Sequence, residues 1–259
     1  MTAQTTGKPI WVDLGTSDLE AAKTFYSGLF GWKAETNPDP QFGGYTLFTL
    51  NGETVAGGGP LMGPGQPTAW STYIGVDDVD ATSKAVEAAG GKVLVPVMDI
   101  PGQGRMAVFL DSAGAAISAW QPMGMTGATV FNTPGALCWN ELSTGDAPAA
   151  KEFYGKVFGW QASDNPMGEQ TYTEFQLGGR SIAGMMPMAD SMKANGVPPH
   201  WMVYFAVADC DAATTKAKQL GAKIMMPGTN FPGGRFAVMS DPTGAAFAIV
   251  HMTEQNSNN

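Results

Sequence analysis

The chain has 259 residues, a formal net charge of −9, and 44% hydrophobic against 14% charged residues, a balance that excludes a disordered polymer and describes a folded globular protein. Acidity without clustered Lys and Arg excludes a nucleic-acid backbone or an anionic membrane as partner. No apolar run approaches the ~18 residues of a spanning helix, and the opening MTAQTTGKPI has no apolar signal segment, so a cytoplasmic location is expected. Cys138 and Cys210 lack CxxC-type neighbours and read as buried free thiols.

Taken in order, WVDL at 11–14 is a short strand-like run that stops at Thr16-Ser17-Asp18. Asp18 is placed to cap a helix, Ala21, Ala22, Phe25 and Leu29 give that helix one apolar stripe, and Gly31 ends it. Residues 139–160, WNELSTGDAPAAKEFYGKVFGW, repeat the unit with Asp146, Ala149, Ala150, Phe153, Val157 and Gly159. Phe25-Tyr26 and Phe153-Tyr154 fall on the buried stripes and read as core.

After Trp32 comes a polar loop, then YTLFTLNGETVAGGGP, two strands joined at Asn51-Gly52, which closes a βαβββ module. From residue 71 a strand, an Asp-started helix ending at Gly90-Gly91 and three further strands make a second module, with a tight turn at Asp111–Gly114. The segment 122–135 lacks a period and reads as a connector. The pattern then restarts, with strands at Tyr172–Leu177, Ser181–Met185 and HWMVYFAVAD, a helix from Asp211 to Leu220 and three closing strands. The expected organisation is an α+β chain of four βαβββ modules: domain 1 at 1–121, a linker at 122–135, domain 2 at 136–252 and a polar tail at 253–259. The run Ala56-Gly57-Gly58-Gly59 has no helix or lysine after it and is no phosphate loop; the methionines of the second half read mostly as core filling.

The order strand, T-x-D-x-x-x-A-x-x-FY-x-x-x-FGW, V-x-D-x-D-A and GR-x-A-V-x-x-D-x-x-GAA, present twice, resembles the glyoxalase/bleomycin resistance/dioxygenase (vicinal oxygen chelate) superfamily. The tandem form resembles the two-domain glyoxalase-like group around the mycobacterial 27-kDa antigen. The resemblance implies curved mixed sheets forming cup-shaped ligand cavities, with the two domains acting as an internal pseudo-dimer in a monomer or homodimer. It also places metal-ligand positions at Trp11 and Trp139, Ser71 and Met202, Ser118 and Ala248, and near Gly57 or Gly58 and Gly184 or Met185. None offers a usual donor to Zn²⁺, Ni²⁺ or Fe²⁺, and with only His200 and His251 in the chain the expectation is no metal and no cofactor.

Because residues two apart on a strand share a face, Asp13 goes with Trp11, Glu141 with Trp139, Tyr73 with Ser71 and Tyr204 with Met202; Ser118 and Trp120 join the first set, Ala246, Ala248 and Val250 the second. His200 lies on the face of Met202. Each cup thus combines aromatic walls, a carboxylate and a phenol, which suits a small hydrophobic or aromatic metabolite or antibiotic. Asp13 and Glu141 require either a structural partner, for which Arg105 and Arg235 stand as candidates, or a function as general base. The function expected is metal-independent small-molecule binding; the alternative is a metal-free lyase, isomerase or hydroxylase-type enzyme, and behind it a metal-dependent glyoxalase or dioxygenase.

Overall fold

A computed structural model describes residues 5–253; of the expected tail at 253–259 all but Thr253 lies outside the described residues. The first module holds β1 (Pro9–Thr16), α1 (Leu19–Phe30), β2 (Lys33–Thr36), β3 (Thr46–Leu50) and β4 (Glu53–Pro60). The second holds β5 (Ala69–Gly75), α2 (Val79–Ala88), β6 (Lys92–Ile100), β7 (Gly104–Leu110) and β8 (Ala116–Pro122). The third holds β9 (Leu137–Thr144), α3 (Ala147–Phe158), β10 (Gln161–Met167), β11 (Gln170–Leu177) and β12 (Arg180–Pro187). After a short helix α4 (Asp190–Ala194) the fourth holds β13 (His200–Ala206), α5 (Cys210–Gln219), β14 (Lys223–Phe231), β15 (Gly234–Ser240) and β16 (Ala246–Met252).

The local chemistry explains these elements. Asp18 and Asp146 accept hydrogen bonds from the amides of Ala21 and Ala149, each at 3.0 Å, and so satisfy one of the first-turn donors that a helix leaves unpaired. Gly31 and Gly159 end α1 and α3 in the left-handed region. Between β3 and β4, Asn51 (φ 54) and Gly52 (φ 88) make a turn that needs two positive φ values, which this pair tolerates. Three details differ from the expectation. The helix expected at Asp211 starts at Cys210, because the side chain of Asp209 caps the amides of Asp211 and Ala212. The polar loop after Trp32 contains β2, and the methionine-rich stretch contains α4.

The strands form two mixed sheets of eight, ordered β2-β3-β4-β1-β5-β8-β7-β6 and β10-β11-β12-β9-β13-β16-β15-β14. Neither closes on itself. Packing divides the chain in a second way, into two compact units: one takes residues up to Ile10 with Thr72–Gly127 and Trp139–Trp201, the other Trp11–Ser71, Ala128–Cys138 and the chain from Met202. Each unit has its own core, the first around Ile74, Phe109, Ile117, Phe153 and Phe175, the second around Phe25, Phe48, Phe205, Phe247 and Ile249, all at most 2% exposed.

Each core also holds a polar relay. In one, the Trp70 indole donates to the Tyr26 hydroxyl at 2.9 Å, which donates to Asp241 at 3.0 Å. In the other, Trp201 donates to Tyr154 at 2.8 Å and Tyr154 to Asp111 at 2.9 Å. The Phe-Tyr pairs are core as expected, with their hydroxyls satisfied inside it.

Candidate functional site

The first-strand residues singled out by the repeat are brought together by a tyrosine. Trp11 and Asp13 alternate along β1, and the Trp11 indole donates to the Tyr45 hydroxyl at 3.1 Å while that hydroxyl donates to the Asp13 carboxylate at 3.2 Å. On β9 the arrangement recurs: Trp139 donates to the Tyr172 hydroxyl at 2.8 Å, and Tyr172 is hydrogen-bonded to Glu141. Burial and then the neighbouring carboxylate push both phenols well above the usual tyrosine range, so they stay protonated donors at any ordinary pH.

Strand register supplies the floor. Asp13 pairs with Gly57 on β4 and Glu141 with Gly184 on β12. A Cβ on Gly57 would lie 1.9 Å from the Tyr45 hydroxyl oxygen, and one on Gly184 would lie 2.0 Å from that of Tyr172. Only glycine admits the phenol there. Alanine at Gly184 should therefore expel Tyr172 from Trp139 and Glu141 and cost about 2–3 kcal/mol, combining overpacking with a lost buried hydrogen bond. Urea titration of Gly184→Ala, Tyr172→Ala and the double variant checks this: the double variant should lose clearly less than the sum of the singles, and simple additivity would refute the contact.

The two sites differ on one flank. Across β12, Gly184 pairs with Glu174, whereas the corresponding neighbour of Gly57 is Leu47. The second site therefore has another carboxylate close by, and its charge helps to hold Tyr172 protonated.

The arginines do something else. Arg105 donates to Asp80 at 2.6 Å and Asp99 at 2.7 Å, and Arg235 to Asp211 and Asn230, each at 2.9 Å. Of the two readings of Asp13 and Glu141, the one with Arg105 and Arg235 as partners is not supported, because the register sets Arg105 opposite Asp99 and Arg235 opposite Asn230 on the edge strands β6 and β14. Ser71 is half-buried on β5; Tyr73 and Ser118 are buried and adjacent across β5 and β8. Trp120 is buried, its indole donating to the Met125 carbonyl at 2.8 Å. On β13 Met202 is half-buried and Tyr204 is buried opposite Ala248. His200 opens that strand with Nδ1 2.9 Å from the Pro198 carbonyl, a local structural role. Burial pushes the Cys138 thiol up to about 12, which removes it as a nucleophile.

Tyr45 and Tyr172 join these clusters without having been singled out by the alternation of the first strands. A signal existed: Tyr45-Thr46-Leu47-Phe48 and Tyr172-Thr173-Glu174-Phe175 are matching stretches of the two repeats. As for a metal, these residues do not fit one. The first-strand positions are indoles already donating their N–H, the space over each glycine is filled by a phenol, and Ser71, Ser118, Met202 and Ala248 supply no imidazole, thiolate or carboxylate. Among the described residues no three His, Cys, Asp or Glu gather to hold an ion.

Residues 8–118 and 137–249 both match the Glyoxalase/Bleomycin resistance protein/Dioxygenase superfamily. Over 257 residues the chain is 44% identical to "Putative glyoxylase CFP32" of Mycobacterium tuberculosis (strain CDC 1551 / Oshkosh), covering 96% of each protein. It is 40% identical to "Anthracycline biosynthesis protein DnrV" of Streptomyces peucetius, covering 98% of this chain and 96% of that one. Among solved structures it is similar to the Mn(II)-bound glyoxalase from Novosphingobium aromaticivorans, with a TM-score of 0.65 and 19% identity over 95% of this chain and 82% of that one, a likeness that shows the fold.

Proposed function

The chain belongs to the glyoxalase/bleomycin resistance protein/dioxygenase superfamily, and on that premise we propose that it is a metal-independent member that binds a small hydrophobic or aromatic metabolite or antibiotic. The observation that carries this reading is the Trp–Tyr–carboxylate cluster standing, in both repeats, where the resemblance puts metal donors. Two aromatic rings beside one oriented carboxylate hold a planar molecule by stacking and fix its direction through a polar edge. The 40% identity to a protein named for anthracycline biosynthesis supports an aromatic ligand class. A cytoplasmic location and a monomeric or homodimeric state belong to the same proposal.

A second reading is favoured by the hydrogen bonds of Tyr45 and Tyr172 to Asp13 and Glu141. It is a metal-free enzyme in which the carboxylate takes a proton from the ligand and the phenol donates to the oxygen that becomes negative. Turnover of a bound ligand would decide for it.

Two measurements test the proposal. Protein dialysed against chelator should retain no stoichiometric Zn, Ni, Fe or Mn by elemental analysis; about one ion per chain would sink it. Planar aromatic ligands such as anthraquinones should quench tryptophan emission, chiefly through the half-buried Trp139, since Trp11 is only 2% exposed. Trp139→Ala should weaken binding at its site by roughly 5- to 150-fold, equal to ~1–3 kcal/mol; a folded variant that binds like the parent would show that Trp139 lines no ligand site.

A further inference from the structure

We propose that each Trp–Gly–carboxylate triangle is a phenol-binding clamp that the chain keeps filled with its own tyrosine, and that a phenolic ligand competes with that tyrosine for it. This rests on the reading above that the two sites take aromatic molecules, and it narrows their ligand class to phenols. An indole N–H only donates and an ionised carboxylate only accepts. A group lodged between Trp11 and Asp13, or between Trp139 and Glu141, must accept on one side and donate on the other. A hydroxyl does both; an ether cannot donate, an ammonium cannot accept, and a carboxylate is repelled by its counterpart.

The glycine makes the position specific in space as well. The tyrosine oxygens stand 1.9 and 2.0 Å from where a Cβ of Gly57 or Gly184 would be, so the hydroxyl sits in a notch that only a missing side chain provides. The two tyrosines reach it from equivalent places in the repeats: Tyr45 continues the line of β3 opposite Asn37, whose amide donates to the Tyr45 carbonyl at 2.9 Å, and Tyr172 lies within β11 opposite Asn165. Both deliver the hydroxyl to the same three partners, so both repeats hold the same clamp. Both tyrosines are half-buried, so an incoming ring approaches from the side on which theirs are exposed.

The test removes each plug in the full chain and offers the side chain back as a free molecule. Tyr45→Ala and Tyr172→Ala should bind p-cresol at least about tenfold more tightly than the parent does, and at least about tenfold more tightly than they bind 4-methylanisole, which cannot donate, because the hydrogen bond to the carboxylate is charge-assisted. Adding Asp13→Asn or Glu141→Gln should erase the preference for cresol. Folded variants that take cresol no better than methylanisole, or no better than the parent, overturn the proposal. Should an alanine variant be unfolded alone, recovery of its cooperative melt by p-cresol but not by methylanisole supports the clamp, and recovery by neither or by both overturns it. Quenching of Trp139 in the parent by an unhydroxylated polycyclic aromatic, with the cresol arms failing, would remove the clamp and leave the aromatic reading standing.

Discussion

Expressed alone, residues 1–127 should fail to melt cooperatively as a monomer, although they contain one complete sequence repeat. Both cores draw on both repeats. The core of Val12, Leu14, Phe25, Phe48 and Trp70 from the first is completed by Val203, Phe205, Phe247 and Ile249 from the second. Uncovering four side chains of that size forfeits about 1.5–3 kcal/mol each, which together rivals the whole 5–15 kcal/mol by which a domain is stable. The relays are exchanged in the same way, Tyr26 finding its acceptor in Asp241 and Tyr154 in Asp111. Fragment 1–127 should therefore show weak near-ultraviolet dichroism and self-associate, and adding fragment 128–259 should restore a native spectrum. A monomeric 1–127 with a sharp urea transition would show that the first repeat is self-sufficient.

That exchange marks the limit of what the sequence discloses. Local signals carry far: the Asp caps, the glycine stops, the Asn51-Gly52 turn and the four modules all stand where composition and period place them. Alternation along one strand likewise puts Trp11 with Asp13 and Trp139 with Glu141. What joins them does not follow from alternation, because the phenols come from another strand or its approach, and their place depends on a glycine of the strand that follows, β4 or β12. Arg105 and Arg235 each open a late strand, and that position sets them beside the edge strands β6 and β14, opposite residues that hold them. Asp111 reads as a turn residue and is one, as is Asp241 in the second repeat; their second role depends on tyrosines 43 and 215 positions away.

Asp241 therefore makes the sharpest single-residue prediction. Its carboxylate is 3% exposed and does two jobs at once. One oxygen accepts from the amides of Thr243 at 2.8 Å and Ala245 at 3.0 Å and from the Thr243 hydroxyl at 2.8 Å, which shapes the turn between β15 and β16. The other accepts from Tyr26, a side chain with no exposure at all. Alanine there would strand the buried Ala245 amide and the Tyr26 phenol and leave the part-buried Thr243 amide to solvent, and Trp70 would remain tied to a hydroxyl that has lost its acceptor. The expected loss is about 3–5 kcal/mol, from two buried donors left unsatisfied at about 1–3 kcal/mol each. Asparagine should cost less, about 1–2 kcal/mol, since its carbonyl can still hold the turn and only the bond from Tyr26 must be reorganised. The same ordering should hold for Asp111, which accepts from Ala113, Ala115 and Tyr154, each at 2.9 Å. Urea unfolding of Asp241→Ala, Asp241→Asn and Tyr26→Phe, followed by tryptophan emission, separates the contributions. Tyr26→Phe should fall between the two Asp variants, because it leaves one indole and one carboxylate oxygen unsatisfied but keeps the turn. If Asp241→Ala were as mild as Asp241→Asn, the carboxylate would be dispensable to both the turn and the relay.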